Sequence, residues 1–166
     1  MTLYAADKLI AQARVLAAEY RRTMGKPLPG ISNEIAEHDA VKLLGLRARR
    51  EGEEGGYDAV DSERGNKRIQ IKSRTIFDES KTGQRVGQLK LEKEWDSVVL
   101  VLMDENYEPY EIYEAERDEI LEQLDQSSGS RTKRGAMSVA RFKIISRLVW
   151  TRENGLEKEV WDNQAG

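Results

Sequence analysis

The segment "SVVLVLM", Ser97 to Met103, constrains the fold more than any other. An unbroken run of β-branched residues and leucines, with no polar alternation, is the pattern of a strand covered on both faces. Such a strand demands a layer above it and a layer below it. The chain has 166 residues, enough for one domain with a real core. Helical periodicity supplies the covering material. Leu9, Ala13, Leu16, Ala17 and Tyr20 recur at helical spacing and predict an amphipathic helix over 2–24, ended by "GKPLPG". Ser32 offers an N-cap for a second helix, "NEIAEHDAVKLLGL", whose stripe is Ala36, Ala40, Leu43 and Leu44 and which closes near Gly45.

Strands are expected at 57–61 and 68–77, joined by the turn-forming "SERGNK", with a short strand near 84–89 inside a polar, glycine-punctuated loop. "YEIYEA" alternates as a more exposed strand, and "ERDEILEQL" reads as a short helix. "DQSSGSRTKRG" reads as a basic linker, "AMSVARFKIISRLVW" as a final helix, and "WDNQAG" as a tail. The sequence thus predicts an α/β fold, a central mixed sheet flanked by helices, in a single domain over 1–166. Its parts are an N-terminal helix 2–24, a core of about 31–124 and a basic linker plus helix over 126–152.

Composition excludes several classes of function. There is no cysteine, so disulfides and thiolate metal sites are ruled out, which suits a cytoplasmic protein. His38 is the only histidine, so one chain cannot build a multi-histidine zinc site. Hydrophobic residues make up 39% and charged residues 34%, and no apolar run is long enough to span a membrane. Net charge is −3, but it is unevenly spread. Gln126 to Gly166 carries eight Lys/Arg against four Asp/Glu, and Gln126 to Arg152 carries seven basic residues and no acid. That end suits a polyanion. Arg131, Lys133 and Arg134 fall in the linker, and Lys143 and Arg147 fall four apart on the expected helix, as candidates for sequence-independent phosphate contacts. The plainer alternative is a solubilising face that offsets the acidic body.

The stretch "GYDAVDSERGNKRIQIKSR" carries the chemistry. Residues two apart on a strand share a face, so Gln70 and Lys72 point one way while Ile69 and Ile71 point the other. Asp58 shares a face with Val60, and in an antiparallel hairpin it lies beside the Gln70–Lys72 pair. A carboxylate and an amide oxygen are hard ligands suited to Mg²⁺ or Mn²⁺. A neighbouring lysine can hold a water and offset charge building on a phosphate. Glu34 and Glu37 are three apart on the preceding helix, and either can reach the same spot. Asp61 becomes the relevant acid if the strand slips by one residue. Ser73 and Arg74, just past the lysine, could serve a phosphate or the main chain; the plainer reading is a solvated strand end. For His38 a surface or packing role is expected.

The helix "NEIAEHDAVKLLGL", the strand "GYDAV" and the strand "IQIKSR", in that order, resemble the core of the PD-(D/E)xK nuclease superfamily, whose fold is termed restriction endonuclease-like. The Gln form, Gln70-Ile71-Lys72, is similar to the Mrr-type branch. The resemblance spans roughly residues 31–113, and the whole chain is similar to a group of small uncharacterised proteins assigned to that fold. It implies a Mg²⁺-dependent endonuclease, a hydrolase acting on DNA. Asp58 would be a metal ligand, Gln70 a second ligand or its stand-in, Lys72 the catalytic lysine, and Glu37, or else Glu34, the helix carboxylate. Many members of the superfamily cut as dimers, and the amphipathic first helix offers a surface for a homodimer. The sequence departs from the usual pattern in two places. No proline precedes Asp58, and Gln70 replaces the commoner acid, which leaves one negative charge fewer to hold metal. An inactive member of the same fold that binds nucleic acid or protein is the alternative function. A purely structural or interaction protein is a third reading.

Overall fold

The computed structural model describes residues 3–78, 83–125 and 137–157. In chain order the elements are α1 (Leu3–Met24), α2 (Ile31–Leu44), β1 (Arg47–Ala48), β2 (Ala59–Asp61), a 3₁₀ turn (Ser62–Arg64), β3 (Lys67–Thr75) and β4 (Arg85–Val86). There follow β5 (Ser97–Met103), β6 (Pro109–Glu116), α3 (Arg117–Asp125), β7 (Met137–Ser138), α4 (Val139–Ile145), β8 (Arg147–Thr151) and β9 (Gly155–Leu156). The main sheet has seven strands in the order β1-β2-β3-β5-β6-β8-β9, and β4 pairs with β7 in a separate ribbon. Among the described residues only β3 and β5 run parallel, and every other pair is antiparallel. The fold is therefore mixed α/β, a mixed sheet flanked by helices.

All seven residues of β5 are buried, and their alternation builds two cores. Val99, Val101 and Met103 join Ile69 and Ile71 of β3 beneath Ala17, Ala18, Ile35, Ala36 and Ala40 of α1 and α2. Val98, Leu100 and Leu102 face the other way, against Val86, Leu89, Trp95, Ile120, Met137 and Phe142. A parallel pair needs a crossover. The β3–β5 crossover contributes Val86, Leu89 and Trp95 to the second core, and so covers the face opposite α2.

α1 differs from the expected stripe in its roll. Ala17 and Ala18 are buried, whereas Leu9, Val15 and Leu16 are each more than half exposed. Alanines let α1 lie close on α2, and Arg14 fixes the roll. Its guanidinium clasps the buried Asp39 of α2 at 2.7 and 2.9 Å, meets Glu108 at 2.8 Å and donates to the Tyr107 carbonyl. α2 begins one residue before Ser32, at Ile31, with Gly30 as N-cap in the left-handed region (φ 83°) and no side-chain cap. Gly45 closes it at φ 67°, where a glycine is favoured.

The expected final helix is broken into three elements. Ser138 caps α4 by accepting from the Arg141 amide at 3.1 Å, and the helix ends at Ile145. "RLVWT" then pairs with Glu111–Glu114 of β6 as β8. β-branched and aromatic residues are at home in a strand, and pairing to β6 outweighs the local helical spacing. The linker and tail segments expected at 126–136 and 161–166 lie outside the described residues. Among the described residues no helix is long and apolar enough to cross a membrane.

One buried carboxylate ties the far end of the sheet together. Glu114 of β6 accepts two bonds from Arg64 at 3.0 Å, one from Ser97 Oγ at 2.6 Å and one from Arg147 at 3.3 Å. Burial raises the Glu114 pKa, but Arg64 and Ser97 outweigh it and hold the carboxyl below its ordinary value. The folded pKa is depressed, so its contribution is present above the ordinary carboxylate pKa and is lost as pH falls through the folded one. Glu114→Ala is expected to cost about 3 kcal/mol at neutral pH, read by urea denaturation, because cations are left without their counter-charge. The deficit against wild type should shrink in acid; a deficit independent of pH would count against this account.

Candidate functional site

The site grows from a fork in the sheet. β2 pairs with β3 only from Ala59↔Ile69 to Asp61↔Lys67. Ahead of that ladder, the Asp58 amide donates to the Ile69 carbonyl at 2.8 Å, and the Asp58 carboxylate accepts from the Ile71 amide at 2.7 Å. A side chain therefore supplies the acceptor that a strand carbonyl would have supplied. The two bonds bracket Gln70 and hold Asp58 at the edge of β3.

Gln70 is 2% exposed. Its Nε2 donates to the Gly56 carbonyl at 2.8 Å. Because that partner is an acceptor, the amide orientation is assigned by chemistry, and the oxygen is the group left over. Oε1 is buried and has no hydrogen-bond partner among the described residues. A glycine is needed at position 56, where a Cβ would fall 2.4 Å from Lys93 Cβ. Lys72, two residues on, is half-buried. Burial pulls its pKa down, the negative charge of Asp58 pulls it up, and Lys90 pushes it down again. Its ammonium has no hydrogen-bond or ion-pair partner among the described residues.

α2 brings the acids. Glu34, Glu37, His38 and Val41 line a cavity of about 460 Å³ together with Ala6, Leu9 and Ile10 of α1, Ala48, Arg49 and Asp58. The Glu37 and Asp58 carboxyls are close enough to share a hydrogen bond. Burial first, then the charges of Asp58 and Glu34, push Glu37 up to about 7, against a smaller opposing pull from Arg49. Near the end of β3, the Ser73 hydroxyl bonds Asn33 Oδ1 at 3.0 Å in an exposed contact that ties the strand to the first turn of α2. His38 bonds Asp7 of α1 at 2.8 Å, the packing role expected of it, while also lining the cavity.

The structure thus brings Glu34, Glu37 and Asp58 to one cavity, and sets Gln70 and Lys72 on the strand beside Asp58. It does not bring Asp61 there. Asp61 caps the 3₁₀ turn through the Glu63 amide at 3.0 Å and binds Arg64 at 2.7 Å. Lys143 and Arg147 form no shared ridge, because α4 ends before Arg147. Lys143 approaches Glu111 at 3.7 Å, and Arg147 joins the Glu114 cluster. Arg131, Lys133 and Arg134 lie outside the described residues. The sequence reading missed Arg49, set down as part of a charged link, and the apolar wall from α1, whose residues it turned toward the core. Among the described residues no group of three or more His, Cys, Asp or Glu forms a metal-ligand set. The arrangement is instead a carboxyl pair, with Gln70 and Lys72 on the adjoining strand. The chain matches no protein-family model and no curated protein.

The raised Glu37 pKa has a consequence for stability. Folding favours the protonated acid, so stability falls as pH rises from the ordinary 4.5 through about 7 and then levels off. Glu37→Gln should abolish this slope and leave the variant more stable than wild type at pH 8. Parallel stability–pH profiles for the two proteins would show the assignment to be wrong.

Proposed function

We propose that this chain is a divalent-metal-dependent nuclease with the restriction endonuclease-like fold, a Gln-x-Lys variant of the PD-(D/E)xK superfamily, and that it hydrolyses DNA phosphodiester bonds. The observation that carries this reading is the Glu37–Asp58 pair, two carboxyls pressed together in a cavity at a forked sheet. The donor set fits a hard cation. A bound cation would relieve the repulsion within the pair, and the orphaned Gln70 Oε1 supplies a neutral oxygen ligand. Asp58, Glu37 and Gln70 would hold Mg²⁺ or Mn²⁺, with Glu34 at the mouth of the cavity. The ion's chemistry when bound is to acidify a water and neutralise phosphoryl charge.

The chain's own residues do the rest. Asp58 is pre-positioned by the Ile71 amide, so its carboxylate needs no reorganisation. Lys72 carries its charge in a half-desolvated place, where it steers the phosphate and orients the attacking water. A second reading, a DNA-binding member of the same fold that does not cut, is favoured by one feature: position 70 is an uncharged amide, with one of its two polar ends already bonded to Gly56.

The two readings separate in one experiment. With Mg²⁺ or Mn²⁺ the wild type is expected to cleave DNA, and Asp58→Asn and Lys72→Ala are each expected to lower the rate at least about 100-fold with melting curves little changed. Asparagine keeps an oxygen for the Ile71 amide, so the strand edge survives. Cleavage that persists in both variants would remove the site assignment. Binding without cleavage in the wild type would select the second reading.

A homodimer is proposed through α1. Its outward row carries Lys8, Val15, Leu16 and Glu19, and two such helices laid antiparallel would set each Lys8 against the other's Glu19. Leu16→Lys should then convert a dimer to a monomer in light scattering. A monomeric wild type would end that expectation.

A further inference from the structure

The chemistry proposed above makes no use of Arg49, and the main chain fixes where that residue stands. β1 pairs with β2 at Arg47↔Val60 and Ala48↔Ala59. One step beyond, the Arg49 amide donates to the Asp58 carbonyl at 2.9 Å, so Arg49 lies opposite Asp58. Residues directly opposite in an antiparallel pair have Cβ atoms about 5 Å apart. Both residues line the cavity that Glu34 and Glu37 also line. The Arg49 charge is felt there, since it opposes the rise in the Glu37 pKa.

The loop after β1 keeps the guanidinium out of a salt bridge. The Glu53 carboxylate accepts from Arg47 at 2.8 and 3.1 Å and from the Arg50 amide at 2.6 Å. Arg49 Nη1 reaches only the Glu53 main-chain carbonyl, at 3.4 Å in an exposed contact. Its guanidinium lies 6.0 Å from the Tyr57 ring centroid, at the outer reach of cation–π attraction, and the buried ring gives it a fixed neighbour. The carboxyl pair does not close on it either. The Asp58 carboxylate is held by the Ile71 amide, and among the described residues Arg49 forms no ion pair. A cation and two carboxyls thus border one cavity of about 460 Å³ without meeting. A space so bordered suits a ligand of both signs, a metal ion against the carboxyls and an anion against the arginine. The planar arginine fork matches the oxygens of a phosphate.

We propose that Arg49 binds the phosphate of a DNA strand drawn to the Glu37–Asp58 pair, through its non-bridging oxygens. The placement rests on the nuclease reading, but the claim concerns binding, so the two can fail separately. The test is fluorescence anisotropy of a short labelled DNA duplex with the full chain, over a series of salt concentrations. Ca²⁺ is present as a hard cation that takes oxygen ligands. If Ca²⁺ itself supports cleavage, kcat/KM replaces affinity in the same comparison. Arg49→Gln should bind about tenfold more weakly, with a salt slope reduced by about 1. Arg49→Lys keeps the charge and loses the fork, so it should keep the slope and recover part of the affinity. Arg50→Gln removes an equal charge one residue on, outside the lining of the cavity, and should stay within about threefold of wild type.

The Arg49 side chain makes one exposed hydrogen bond among the described residues, so Arg49→Gln should melt as wild type does. Wild-type affinity and slope in Arg49→Gln would overturn the proposal. So would an equal loss in Arg50→Gln, the mark of a general charge effect, or an absence of DNA binding by the wild type. If the wild type binds through Arg49 yet never cleaves with Mg²⁺ or Mn²⁺, the phosphate contact stands and the nuclease reading falls. If it cleaves through Asp58 while Arg49→Gln behaves as wild type, the Arg49 contact alone falls.

Discussion

Strand β5 has no residue in contact with solvent, and the rest of the molecule is organised by that fact. With both faces apolar, the polar chemistry cannot lie on the central strand. It is displaced one strand outward, to β3, which is buried at Ile69–Ile71 and half-buried on either side. There the parallel ladder to β5 holds one edge of the strand while the other edge loses β2 at Ile69. That second edge has main-chain groups and alternating side chains to offer.

The charges around β3 are sorted by face. On the α2 side, Glu34, Glu37 and Asp58 meet in a cavity partly walled by the alkyl side chains of α1. On the opposite side, Lys72 and Arg74 follow one another along the strand face with no carboxylate bond among the described residues. Asp58 sits between the two sets and acts on members of both, raising the Glu37 pKa and opposing the fall in that of Lys72. An ordinary structural network would have intermixed these signs, as the Glu114 cluster does with Arg64, Lys67 and Arg147.

Much of this arrangement was legible in the chain. "SVVLVLM" named the central strand, and period-two alternation placed Gln70 and Lys72 together and opposite to Ile69 and Ile71. Helical spacing put Glu34 and Glu37 on one face, but their difference in burial depends on the roll of α2 over the fork, which the Arg14–Asp39 clasp helps to set from a distance. The final helix misled because "FKIISRLVW" satisfies both periods, and only the neighbouring β6 decides between them. The Arg74 bond to the Arg85 carbonyl was illegible for a similar reason, since nothing local tells a strand arginine which loop carbonyl it will meet.

The Gly56 contact has a further meaning for how this molecule can change. The carbonyl that orients Gln70 belongs to a peptide held against Lys93 and Trp95, and the Gly56 amide in turn donates to the Glu94 carbonyl at 3.1 Å. The crossover into β5 and the amide beside Asp58 are thus one mechanical unit. Insertions or deletions between Leu89 and Asp96, in a stretch that looks like tolerant surface loop, would be transmitted through a single peptide to the Gln70 side chain. The chain's freedom to vary in length lies elsewhere, in loops that do not touch this peptide.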